Sequence, residues 1–238
     1  MNETFARTEL LIGEDGLKKL RKARVAVFGI GGVGGYAVEA LARSGVGHFL
    51  LVDNDVVGES NLNRQIIALR STLGRYKTAV MKERIADICP ETEVKTQECF
   101  FLPEHADRFD FGAFDYVVDA IDTVSGKLEL AVSCQKAGTP LISAMGAGNK
   151  LDPSKFEVTD IYRTKGCPLA KVMRRELRKR GIERLKVVYS TEEPKKPLRQ
   201  ILGGDGRKVT PGSMVFVPGT AGLLLASEVV KDLLERQG

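Results

Sequence analysis

Five groups of residues in this chain have the types and spacing to handle a polyphosphate. Gly29, Gly31 and Gly34 follow the short apolar run VAVF in a G-x-G-x-x-G spacing, with Gly32 between them. Glycines in that pattern permit a tight turn and let backbone N–H groups approach phosphate oxygens at a helix N-terminus. The next apolar run, HFLLVDND, ends on Asp53, a carboxylate placed to bond a ribose hydroxyl. These two features alone fit NAD as well as any other nucleotide. The segment GESNLNRQI then brings Asn61, Asn63, Arg64 and Gln65 into one polar loop, Lys77 follows on a helical stretch, and Asp122 ends a third apolar run in VVDAIDT. Two cations and a carboxylate able to hold Mg²⁺ match a triphosphate whose charge must be spread during nucleotidyl or phosphoryl transfer. Singly, Arg64 also reads as a surface ion pair, Lys77 as a solubilising helix residue and Asp122 as a helix N-cap.

These residues can meet only if the apolar runs are neighbouring strands. After residue 23 the chain alternates strand 24–29, helix 33–44, strand 48–53, helix 75–88 and strand 93–98, then strand 115–120, helix 125–137 and strand 140–144. That rhythm predicts an α/β fold, a Rossmann-like, doubly wound, mostly parallel sheet with helices on both faces. A helical lead-in over 4–22 is expected to pack Phe5, Leu10, Leu11, Leu17 and Leu20 on the sheet, with Arg7 and Thr8 as polar exceptions. From Asn149 the rhythm changes to KFEVTDIY, a basic helix over 168–181, RLKVVYS and a Gly/Pro-rich passage at 194–213. We therefore divide the chain into a nucleotide-binding core, 1–148, and a C-terminal α+β extension, 149–238, belonging to the same compact unit and carrying substrate specificity. MVFVPGTAGLLLASEVVKDLLER reads as a strand, a turn at Pro218 and Gly219, and an amphipathic helix.

A length of 238 residues with 43% hydrophobic content supports an ordinary globular core. MNETFARTEL has no basic region leading into an apolar one, and no window approaches eighteen uninterrupted apolar residues, so a soluble, cytoplasmic protein without a membrane span is expected. Cys89, Cys99, Cys134 and Cys167 form no C-x-x-C pair, which argues against a disulfide framework or a zinc knuckle. The net charge of +5 is unevenly spread: residues 163–186 hold ten Lys or Arg against Glu176 and Glu183, a local +8 that leaves the remainder at −3. Such a segment suits phosphate-backbone recognition, and equally a solvated helix face. Leu169, Val172, Met173 and Leu177 are expected to form the packing stripe of its helix, leaving Lys171, Arg174, Arg175, Arg178 and Lys179 to meet RNA.

GIGGVGGYAVEALARSGVG, LVDNDVV, NLNRQ, Lys77 and DAIDT resemble the ATP-binding motifs of the ThiF/MoeB-type adenylating enzymes, the superfamily of the ubiquitin-activating enzymes, over roughly residues 5–147. The resemblance implies an ATP site built from Gly29, Gly31, Gly32, Gly34, Asp53, Asp55, Asn61, Arg64, Gln65 and Lys77. In it Asp53 binds the ribose, Arg7 and Arg64 touch the triphosphate, Lys77 contacts phosphate, and Asp122 holds Mg²⁺; Arg7, Arg64, Lys77 and Asp122 are the implied catalytic set. FARTELLIGEDGLKKL, TDIYRTKGCPLAKVMRREL and VVYSTEEP resemble the tRNA threonylcarbamoyladenosine dehydratase branch, which closes a threonylcarbamoyl group on an anticodon-loop adenosine into a cyclic hydantoin. That branch implies ATP and Mg²⁺ as cofactors, tRNA as partner and a homodimer. The alternative is an adenylyltransferase for the C-terminus of a ubiquitin-like sulfur carrier, which the missing zinc pairs and the basic extension disfavour. Cys167 could be imagined as a thioester cysteine, but an intramolecular ring closure requires no protein nucleophile. A monovalent cation beside the site and a sulfur-transfer protein partner are compatible with that branch.

Overall fold

In the computed structural model, which describes residues 3–199 and 210–235, seven strands form one sheet in the order β3-β2-β1-β4-β5-β7-β6. The strands are β1 (Arg24–Phe28), β2 (His48–Val52), β3 (Glu93–Gln97), β4 (Tyr116–Asp119), β5 (Leu141–Ala144), β6 (Phe156–Asp160) and β7 (Lys186–Ser190). All neighbours pair in parallel except β6 with β7. The helices are α1 (Ala6–Lys22), α2 (Gly34–Ser44), α3 (Lys77–Ile88), α4 (Val124–Ala137), α5 (Pro168–Lys179) and α6 (Phe216–Glu235). The alternating core expected through residue 144 is thus present, with ends shifted by a residue or two.

Period-two alternation directs the strand side chains to two apolar layers. Val25 and Val27 of β1 join Ile142 of β5 and Val188 of β7 in a core shared with α2, α3 and α6. On the other face, Ala26 and Phe28 pack with Phe101, Phe109, Phe111 and Leu130 of α4, while Val187 and Tyr189 pack with Met173 and Leu177 of α5. Helices therefore cover both faces, as a doubly wound sheet requires. Residues after 149 complete this sheet, since β7 lies directly beside β5 and α6 lies against α2. The helix contact is close: a Cβ on Gly222 would fall 2.3 Å from the Val33 carbonyl oxygen.

Three local expectations are corrected. The lead-in is broken at Gly13, whose φ of 73° interrupts α1, and Leu10 and Leu11 are 87% and 88% exposed instead of packed on the sheet. Met214 and Val215 form no strand; α6 begins at Phe216, and Pro218 lies within its first turn, where a missing N–H costs no helical hydrogen bond. The buried stripe of α5 is Ala170, Met173 and Leu177, spaced i, i+3, i+7, while Val172 is 37% exposed. Part of the predicted Gly/Pro-rich passage, 200–209, lies outside the described residues. Among the described residues no helix is long and apolar enough to cross a membrane, and all four cysteines are free.

Candidate nucleotide-binding site

The sheet order reverses at β1, with β2 on one side and β4 on the other, and a crevice opens at the C-terminal ends of these strands. The chain leaves β1 through Gly29, which adopts φ +90° and donates its N–H to the Val52 carbonyl at 2.8 Å. A Cβ here would stand 2.7 Å from the Ala120 carbonyl oxygen, and one on Gly34 would stand 1.7 Å from the Gly29 carbonyl oxygen. These two glycines are demanded by the protein's own backbone. Gly31 and Gly32 are different, since their nearest neighbours to an added Cβ are Gln65 Nε2 at 3.8 Å and Arg64 Cγ at 3.4 Å. They present bare backbone at the start of α2, an anion cradle.

Asp53, just past β2, is a strut of this loop: Oδ2 accepts the Ile30 N–H at 2.6 Å and Oδ1 the Asp55 N–H at 2.8 Å. Each oxygen keeps a lone pair for a ribose hydroxyl. Lys77 opens α3 with only 5% exposure, and its Nζ reaches Asp55 Oδ2 at 2.7 Å, so a buried stem delivers an ammonium to the rim. Asn61 Oδ1 accepts the Gly58 N–H at 3.0 Å and shapes the 59–65 loop. That loop aims Arg64, whose Nη1 donates to Ser60 O at 2.7 Å and Asn63 Oδ1 at 3.0 Å. Gln65 is buried, and its Oε1 is the one buried side-chain polar atom among the described residues with no hydrogen-bond partner. An orphaned acceptor beside the bare Gly31 backbone is what a site awaiting a donor-bearing ligand presents.

Asp122 is exposed at the end of β4, taking only a 3.4 Å hydrogen bond from Thr123 Oγ1. Thr123, not Asp122, occupies the N-cap position of α4. Among the described residues no three His, Cys, Asp or Glu cluster to hold a metal by themselves. A single free carboxylate beside a phosphate cradle instead fits Mg²⁺, which takes one or two carboxylates together with substrate phosphates.

Arg7 lies two residues beyond Phe5 on the lead-in, away from this loop. The Phe5 ring lies about one van der Waals contact from Gly45, at the far end of α2, and eleven residues of helix separate that end from the cradle, about 16 Å at the α-helical rise. Three further parts were missed. A ring of support runs from Asn63 Nδ2 to Ser213 O at 3.1 Å, and from Gly212 to Asn149 through two hydrogen bonds of 2.7 and 2.6 Å. Asn149, at φ 60°, is followed by Lys150, whose amine is held below the usual lysine range by burial and donates to the Glu192 carbonyl. Beneath the Asp122 turn, Asp119, Lys127 and Ser143 form a fully buried cluster. A lysine among apolar residues in the SGKLELAV run was the only sequence sign of it.

The basic helix lies on the second face. A groove of about 660 Å³ runs along α5, with Pro168 and Val172 among the predicted cations. Those cations are not equivalent. Arg174 is tied to Thr164 by its side-chain N–H groups, and Arg178 lies over the Tyr162 ring at 5.0 Å. Lys179, Arg180 and Arg175 converge on Glu176 and draw its carboxyl down to about 2. Cys167, which precedes α5, is buried at 4% exposure in the same apolar cluster.

Residues 5–237 match the family model described as the ThiF family. The chain is 48% identical to a tRNA threonylcarbamoyladenosine dehydratase of Bacillus subtilis over 99% of its own length and 96% of the relative's. It is 35% identical to the Haemophilus influenzae protein of that name, over 99% and 95%. The Escherichia coli tRNA N6-threonylcarbamoyladenosine dehydratase TcdA, solved in complex with ATP, superimposes with a TM-score of 0.89 at 35% identity, covering 99% of this chain and 97% of that one.

Proposed function

The chain belongs to the ThiF family, and from that premise we propose that it is an ATP-dependent tRNA threonylcarbamoyladenosine dehydratase. One observation in the site carries the reading furthest. Gly31 and Gly32 leave bare backbone at the start of α2 beside Gln65 and Arg64, and the Lys77 ammonium stands beside Asp55 past the end of β2, a set of N–H groups and cations suited to a nucleotide triphosphate.

A carboxylate is a poor electrophile because hydroxide leaves badly. In the proposed reaction the threonyl carboxylate oxygen attacks the α-phosphorus of ATP, the bond to the bridging oxygen breaks, and pyrophosphate leaves. A nitrogen of the same threonylcarbamoyl group then attacks the activated carbonyl, loses its proton and expels AMP. The tethered nucleophile gives this closure a large proximity advantage. The amides of Gly31 and Gly32 cradle phosphate, Asp53 receives the ribose, and Arg64 and Lys77 neutralise charge on the departing pyrophosphate. Asp122 is the residue that would hold Mg²⁺, and the cation would supply further charge neutralisation there.

Arg7 serves this reaction only by reaching a second copy, which agrees with Leu10 and Leu11 standing exposed beside it on α1. We accordingly assign a homodimer in which each chain completes the other's phosphate site. The extension, 149–238, takes the tRNA, with Lys171, Arg175 and Lys179 of α5 meeting its backbone and Arg174 and Arg178 holding the helix in place. A cytoplasmic location follows from this substrate.

The deciding experiment incubates purified protein with ATP and threonylcarbamoylated tRNA and analyses the nucleosides by mass spectrometry. Loss of one water from the modified nucleoside, with AMP and pyrophosphate formed in equal amounts, is expected. Unchanged nucleoside with ATP consumed overturns the dehydratase assignment.

A further inference from the structure

At the C-terminal edge of the sheet, three polar side chains lie where the surroundings are otherwise apolar. Lys127 of α4 places its Nζ 2.9 Å from both carboxylate oxygens of Asp119, and both side chains are fully buried. Ser143 of β5 donates to Asp119 Oδ2 and receives the Lys127 ammonium at 3.3 Å. An ion pair this deep is a poor source of stability, because desolvation offsets the attraction and an apolar replacement of similar volume is often as stable. Its placement suggests another use.

Asp119 is the last residue of β4 and its Oδ1 also accepts the Ile121 N–H at 3.2 Å, folding the Ala120–Asp122 turn back over the strand end. Lys127 therefore reaches the exposed Asp122 carboxylate through one buried carboxylate and one backbone amide. Without Lys127, Asp119 would be an uncompensated buried charge, expected to turn away and release the turn.

We propose that the Lys127–Asp119–Ser143 cluster is a positioning device for Asp122, setting the turn so that its carboxylate meets the cation accompanying ATP. This rests on the nucleotide reading above. It predicts an effect confined to the cation-dependent part of nucleotide binding, which a merely structural cluster would not produce.

The test is calorimetric titration of the full-length protein with ATP, once with Mg²⁺ and once with EDTA, alongside thermal melting. Lys127→Met with Asp119→Val replaces the pair by apolar groups. This variant is expected to melt cooperatively, to lose about tenfold of the affinity gained with Mg²⁺, the worth of one well-placed contact, and to bind ATP in EDTA as wild type does. Adding Asp122→Asn to it should cause no further loss, since both changes break one chain of contacts. A retained Mg²⁺ gain, or equal losses in both buffers, overturns the proposal. Should the double variant fail to fold, Ser143→Ala removes one hydroxyl and no charge; it is expected to reduce the gain about threefold, and an unchanged gain overturns the proposal. Wild type that binds no ATP in either buffer overturns the nucleotide reading and this inference with it, an outcome read from wild type alone.

Discussion

The two kinds of glycine in the cradle should respond oppositely to a single methyl group. At Gly34 the added Cβ would lie 1.7 Å from the Gly29 carbonyl oxygen and 3.1 Å from Ala120 Cβ. Backbone must therefore move by more than an ångström, and the obstructing atom is itself held on β1's exit. Overpacking of this kind costs about 3 kcal/mol, which for a chain of this size lowers the melting temperature by about 6–12 °C. At Gly31 the nearest atom to a Cβ is 3.8 Å away, so Gly31→Ala should melt within about 2 °C of wild type. Its methyl instead occupies space that phosphate needs, and ATP affinity should fall about tenfold or more. Differential scanning fluorimetry and calorimetric titration with ATP separate the effects. Gly34→Ala melting with wild type, or Gly31→Ala binding ATP normally, would refute this division of roles.

Three further outcomes follow from the same geometry. Lys77→Met keeps the buried stem and deletes the charge; losing a charge-assisted contact of about 1.5–3 kcal/mol should lower kcat/KM for ATP by about 10–150-fold, with a near-normal melt because its Asp55 partner is 58% exposed. Turnover within threefold of wild type would remove Lys77 from the phosphate site. Lys171→Glu with Arg175→Glu and Lys179→Glu should weaken tRNA binding and flatten its salt dependence by about one unit of slope per lost contact, measured by filter binding across a salt series; an unchanged slope would exclude the helix. Lys150 has a folded-state pKa lowered from 10.5 chiefly by burial, so unfolding takes up a proton between that lowered value and 10.5. Stability should rise with pH across this window, and Lys150→Met should flatten the rise in urea denaturation followed as pH approaches 10.5.

The parallel sheet was legible because its strands are short apolar runs punctuated by glycine, proline and helical stretches, and hydrophobic periodicity is a local property. Errors fell where a local pattern has two solutions. Val215–Pro218 has strand-like composition, yet proline is as acceptable in a helix's first turn, and packing of Gly222 on α2 selects the helix. Leu10 and Leu11 looked like core residues because hydrophobicity alone does not say which turns of a broken helix the sheet covers. Val172 and Ala170 exchanged places because the helix phase is chosen by the apolar cluster it meets.

Along the chain, residue type and spacing marked the glycine turn after β1, the strand-end acid Asp53 and the cations Arg64 and Lys77, since each sits at a fixed offset from a strand or helix end. Tertiary structure alone decided what each can touch. It divided the glycines into two that the backbone requires and two left open, set Phe5 against the far end of α2, and buried Lys127 against Asp119. Those outcomes depend on pairs of residues brought together by strand order and helix packing. Such distances follow from how the layers close, and no local stretch of sequence contains them.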